Sequence, residues 1–275
     1  MLKVRYGFKV NTVVDEGRIT VNQINDIKAW LKNENLNLTD DQIVLFSLSC
    51  LNRIEDVKLV IKSYYTTKTM CPAIFTNRKV HLAKLQQQLK VVQLAVFPER
   101  TVDGCVIIFH RLCDTNFRHY HMESAMKLLF MTLDAAIYDY PPTGLIILFD
   151  MQGVGLLHLT RVELGLVKIF FQYLQECLPV RLRNIHVLNT VYFLEKIMSF
   201  IKPFMNAEVT KLIHFHPTNL DMNEFYDNHI AREYLPANYG GYLETVDVFV
   251  ERNAKRLLEL EEFFEAEENQ QNLMV

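Results

Sequence analysis

Two His-x-His pairs, His119/His121 and His214/His216, are the residues whose spacing most invites chemistry. On an extended strand, positions i and i+2 share a face, so each pair can offer two imidazoles to one metal ion. A closed zinc site needs four ligands, however, and no Asp, Glu, Cys or further His stands at a companion spacing. Structural histidines at strand or turn ends, and no metal, are therefore expected. Nucleophilic chemistry finds even less support, because none of the five serines (47, 49, 63, 124 and 199) lies in a GxSxG elbow. A Walker loop is absent, and after Gly153-Val154-Gly155 the sixth position of GxGxxG is His158, which removes the small residue that close helix packing needs. Asp150 ends an apolar run, where an α/β enzyme can hold a catalytic carboxylate, although capping the next loop is its ordinary use. With no acid, base and nucleophile in one constellation, the expectation is no enzyme, no catalytic residue and no cofactor.

The elements that carry these residues change character along the chain. Residues 20–32 and 39–51 each open with a capping box, Thr20 with Gln23 and Thr39 with Gln42, and then run apolar at helical spacing. A third helix through Val57, Val60, Ile61, Tyr64 and Tyr65 stops before Cys71-Pro72, so residues 1–75 read as a small helical head. Strands follow at 93–97 and 105–110 around a turn at Asp103-Gly104, then a helix over 120–138. The continuous apolar run GLIILFD (144–150) predicts a strand covered on both faces. A capping box from Thr160 to Glu163 predicts the start of the next helix, 184–189 a strand, and 211–216 a further strand. Alternating strands and helices predict an α/β fold, a mostly parallel sheet with crossover helices over residues 76–250. An acidic C-terminal segment, 251–275, is expected to dock through Leu257, Leu258, Leu260 and Phe264, then fray with a solvated face.

Between the last two predicted strands lies VYFLEKIMSFIKPFM (191–205), a helix with too many apolar residues for a surface position. Its polar residues Glu195, Lys196, Ser199 and Lys202 form a single stripe. Either the helix is deeply buried, or the rest of its surface covers something apolar.

Composition narrows the field. Half of the 275 residues are hydrophobic, 22% are charged, and the net charge of −3 argues against nucleic acid as a partner. No apolar run approaches the roughly 18 residues a membrane span needs, and the N-terminus lacks the apolar run of a signal peptide. The five scattered cysteines read as free thiols in a reducing compartment. A monomer in the cytoplasm is the expectation.

FDMQGVGLLHLT (149–160), IHVLNTVYFLEKIMSFIKPFM (185–205), KLIHFHPTNL (211–220) and LPANYGG (235–241) resemble, in order and spacing, the CRAL-TRIO lipid-binding domain. Within it they look most like the branch of tocopherol-transfer and retinaldehyde-binding proteins, whose three-helix head residues 27–75 also resemble. Departures from the family pattern are Thr190-Val191 after Asn189, Asn238 before the YGG, and Gln152 in the turn after the buried strand. The resemblance implies a carrier that holds one lipophile (a tocopherol, retinoid, carotenoid or phospholipid) beneath a movable lid at about 192–212 and meets membranes transiently. An alternative on the same fold is a module that recruits partners to membranes, or a phosphoinositide binder.

On that reading Leu145, Ile147, Phe149, Phe170, Tyr173, Leu174 and Val187 are the expected pocket walls, with Phe193, Ile197 and Phe200 from the lid. Ile201, Phe204 and Met205 are expected to contact membrane as well. Of four basic head-group positions in some relatives, Lys68 and Arg181 keep the charge, while Glu208 and Leu212 do not. Arg183, Lys202 and Lys211 add at most a weak attraction to anionic lipid, about 1 kcal/mol each near the surface.

Overall fold

The computed structural model describes residues 3–272. Six helices lead the chain: α1 (Val10–Asp15), α2 (Val21–Asn33), α3 (Asp40–Ser49), α4 (Ile54–Met70), α5 (Pro72–Phe75) and α6 (Ala83–Gln88). Both of the first two capping boxes are formed: the Thr20 and Thr39 hydroxyl oxygens accept from the Gln23 and Gln42 amides, whose side chains accept in return. Each box satisfies amides that a helix start leaves without partners.

Five strands form one sheet in the order β1 (Val92–Val96), β2 (Cys105–Leu112), β3 (Gly144–Asp150), β4 (Leu182–Leu188) and β5 (Ile213–Phe215). β1 runs antiparallel to β2, and β2 to β5 are mutually parallel. The parallel steps are joined by α7 (Met122–Tyr138), by α8 (Leu164–Glu176), and by α9 (Leu194–Ile201) with α10 (Ala207–Leu212). α11 (Met222–Asn228), α12 (Val246–Glu259) and α13 (Glu261–Asn272) complete the chain. This is the mostly parallel sheet with crossover helices that the apolar pattern predicts.

Alternation along the strands sorts the side chains. Cys105, Ile107, Phe109, Ile146, Leu148 and Leu188 face one core, with Phe225 and Phe249. Val106, Ile108, Leu112, Leu145, Ile147 and Ile185 face the other, which continues without a break into the helical head and on to α13, from Val4 to Ala266. The boundary expected near residue 75 is therefore not a seam in the packing.

Four local expectations need correction. Thr160 does not cap a helix: residues 156–161 make a 3-10 turn, and α8 starts at Leu164 after an uncapped Glu163. The helix expected over 191–205 is shorter; α9 ends at Ile201, and Pro203, which has no amide to donate, sits in a 3-10 turn at Lys202–Phe204. The last strand begins at Ile213 rather than 211, because Asn206 accepts from the Val209 amide and starts α10. In the acidic segment Leu257, Leu260 and Phe264 are buried but Leu258 is 48% exposed, and the helix does not present only a solvated face, since Glu267 is 1% exposed.

Glu267 belongs to a buried ionic group. Lys68 Nζ lies 2.5 Å from its Oε1, Arg78 binds its other oxygen, and the Tyr64 hydroxyl donates to it as well. Arg78 also reaches Asp134 on α7 at 2.9 Å. Burial pushes the Glu267 carboxyl up, but Arg78 and then Lys68 outweigh it and hold the group below its ordinary range, hence ionised.

Candidate functional site

A cavity of about 270 Å³ lies between the sheet, α8 and α9. Ile147 and Phe149 of β3, Ile185 and Val187 of β4, and Ile213 and Phe215 of β5 supply its floor. These are alternate residues of three adjacent strands, so one sheet face provides them all. α9 covers the cavity with Leu194, Ile197, Met198 and Ile201. The spacing i, i+3, i+4, i+7 is one helical stripe, and Glu195, Lys196, Ser199 and Lys202 are exposed on the opposite side. No residue of α9 is fully buried, which excludes the deeply buried core helix. A second space of about 110 Å³ adjoins, sharing His110, Tyr120, Phe149 and Phe170 with the first.

Of the residues expected at the site, Ile147, Phe149, Phe170, Val187, Ile197 and Ile201 line this cavity. Leu145, Tyr173 and Leu174 are placed in the main core instead. Leu145 stands second in β3, far from the carboxyl end, and the Tyr173 ring packs 4.6 Å from that of Phe130. Phe193 is buried beside Tyr192, and Phe200 is half-buried outside the cavity wall. Phe204 and Met205 pack on Val167, Phe171 and Val209 beneath the end of α9. At 100° per residue, Phe193, Phe200 and Phe204 fall on the row between the cavity stripe and the polar stripe. Composition alone does not say which of two adjacent apolar rows faces inward.

The head-group expectation for Lys68 is overturned: the side chain is 1% exposed and its ammonium is committed to Glu267. Arg181 is exposed and shares a cleft with Glu208 and Leu212, and Glu208 already binds Lys211 at 2.9 Å. Lys202 is exposed and Arg183 half-buried.

Asp150 is a structural carboxylate. Its Oδ1 accepts from the Gln152 amide and Asn189 Nδ2, each at 2.8 Å, and its Oδ2 accepts from the Tyr239 hydroxyl. Asn189 holds this position with φ 51°, a left-handed conformation that asparagine tolerates better than most residues. The closing Gly-Gly has an equally local cause, since a Cβ on Gly241 would lie 1.8 Å from the Leu235 carbonyl oxygen.

The histidine pairs separate. His119 is exposed and meets Asp114 at 2.6 Å. His214 and His216 point away from the cavity and join His186 and His229, with ring centroids 4.9–5.5 Å apart. His186 Nδ1 and His216 Nε2 are 3.1 Å apart. The His186 ring stacks on those of His214 and His216, while His229 meets them at steeper angles, and among the described residues no group of three or more His, Cys, Asp or Glu could hold a metal ion.

Two other histidines stand in the cavity wall, where the apolar pattern had hidden them. His110 interrupts the apolar run of β2, and His158 occupies the position that spoils the dinucleotide motif. Burial pushes His110 down to about 4, and its Nδ1 has no hydrogen-bond partner. His158 Nε2 likewise has none.

The sequence matches the model of the CRAL/TRIO domain over residues 90–241, more than half of the chain. The chain belongs to the CRAL/TRIO family. This family of lipid-binding domains includes relatives along much of its length. The chain is 25% identical over 190 residues to the human "Alpha-tocopherol transfer protein-like", and 26% over 194 residues to that of Mus musculus. Each match covers 68% of this chain and 54% of the relative. Clavesin-1 of Rattus norvegicus is 25% identical over 125 residues, 45% of this chain and 34% of its own. The chain thus spans about half the length, or less, of these curated relatives. Among solved structures, the crystal structure of Sfh5 superposes with TM-score 0.49 and 13% identity, covering 76% of this chain and 74% of that one. Among the described residues of this CRAL/TRIO chain, no helix is long and apolar enough to cross a membrane.

Proposed function

We propose that this chain carries one hydrophobic small molecule in the cavity beneath α9 and exchanges it with membranes when α9 swings away. The observation that carries this reading is an apolar hollow of about 270 Å³ roofed by a helix with no buried residue. The volume lies just below the usual range of ligand pockets, about 300–1,000 Å³. Each buried methylene is worth about 0.8 kcal/mol, so a guest with a dozen buried carbons resists entering water by roughly 10 kcal/mol. Escape into solvent is then slow, and release needs an apolar acceptor at the open lid. Membership of a lipid-binding family and the tocopherol-transfer-like relatives support the same reading.

Membrane contact fits the exposed surface around the lid segment. Tyr192 is 89% exposed just before α9, and Lys196 and Lys202 stand free for anionic lipid. Two substitutions separate binding from delivery. Ile197→Asp puts a carboxylate into the cavity and is expected to abolish uptake of a fluorescent lipophile, with a melting temperature within a few degrees of the parent. Phe200→Asp, off the cavity wall, is expected to keep uptake but slow transfer between vesicles. Undiminished uptake by a folded Ile197→Asp chain would overturn the carrier reading.

A further inference from the structure

We propose that the cavity selects lipophiles ending in a single uncharged oxygen, a hydroxyl or a carbonyl, which His158 and His110 receive. This rests on the carrier reading above and adds the polar chemistry that apolar walls leave open.

His158 has a defined tautomer. The Gly155 amide lies 3.0 Å from His158 Nδ1, and an amide can only donate, so Nδ1 accepts. The Gly155 carbonyl is also near, at 3.2 Å, but a proton on Nδ1 to serve it would leave the amide without this acceptor. The longer contact is therefore not the hydrogen bond. The proton sits on Nε2, and that N–H is buried without a partner in a ring 8% exposed. An unpaired donor in such a place is costly, and a ligand oxygen satisfies it.

His110 stands in the same wall and in that of the adjoining space, 6% exposed, with its ring 4.3 Å from that of Phe149. No carboxylate stabilises a proton on it, and burial keeps it neutral. A neutral imidazole has one donor and one acceptor nitrogen, so it can serve a hydroxyl in either direction. Tyr120, whose ring lies 6.3 Å from that of His158, brings a phenol to the same wall.

The charge of the wall excludes anions. No lysine or arginine lines the cavity, and its one carboxylate, Asp150, has its oxygens occupied by Gln152, Asn189 and Tyr239. An ionised carboxylate or phosphate there would find no lysine or arginine to serve as its counter-ion.

Matched probes test this directly: displacement of Nile red from the full chain at pH 7.4 by 1-decanol, decane and decanoate. Decanol is expected to bind at least tenfold more tightly than either of the others. His158→Phe is expected to lower decanol affinity about tenfold and leave decane unchanged. Equal affinity for decanol and decane would mean that solvent serves the two nitrogens, and would overturn the inference while keeping the carrier reading. Decanoate binding above decanol would overturn it too. Failure of all three probes to displace Nile red, or of Nile red to bind, would remove the carrier reading with it. The ranking in the unsubstituted chain decides even if the variant fails to fold.

Discussion

Glu267 lies 199 positions after Lys68, yet the two share one buried ion pair. Lys68 and Arg78 balance Glu267 and Asp134, so the group is neutral when all four are ionised. Such a group contributes little over a well-packed apolar substitute, but removing one member strands the others in a poor solvent. Glu267→Gln leaves Lys68 and Arg78 facing one carboxylate between them. The expected cost is roughly 3–5 kcal/mol, read from urea unfolding; a loss under about 1 kcal/mol would show that water reaches the site. No periodicity marks Glu267, since it stands in a run of glutamates of which Glu262 and Glu265 face solvent.

The elements behave differently. Two of the three expected helix caps, at Thr20 and Thr39, and the doubly covered strand β3 were legible because they depend on neighbours within a few residues. The sheet's second face also holds a ladder the spacing of His214 and His216 only half discloses. His186 is the cross-strand partner of His214, and His229 comes from the end of α11. Burial, then the neighbouring imidazoles, pushes His186 down to about 3 and His216 to about 4. His229 is lowered in the same way, with Glu224 alone opposing; Asn184, on β4, is the neutral partner of His214. In the unfolded chain these groups take up protons near pH 6.5. Between pH 6.5 and about 4 the unfolded state therefore binds more protons, and stability falls as pH falls. The melting temperature is expected to be flat above pH 7 and to drop between pH 6.5 and 5, before most carboxylates titrate. Replacing His186 and His216 together by Phe should flatten that drop; an unchanged slope would show that the ladder is not its source.

For the whole molecule the decisive feature is a core that does not stop at the helical head. Phe263, Phe264 and Ala266 of α13 pack into the same cluster as Ile24, Ile61 and Leu145. Gln270 on α13 and Gln42 on α3 join at 2.9 Å. A chain ending at Leu260 would lose these side chains and Glu267 together. It is expected to lose its cooperative thermal transition, checked by calorimetry and near-ultraviolet circular dichroism. A sharp transition retained without α13 would show the head and sheet to be stable on their own.

Local pattern by itself determined the order of strands and helices, the parallel sheet, and a segment at 191–205 too apolar for an ordinary surface helix. Those features follow from periods of two and 3.6 residues and from caps spanning one turn. Only the tertiary structure decided which row of α9 faces the cavity, why Lys68 is out of reach, and where His110 and His158 stand. Each depends on contacts between residues distant in the chain, and burial, not residue type, then sets what those side chains can bind.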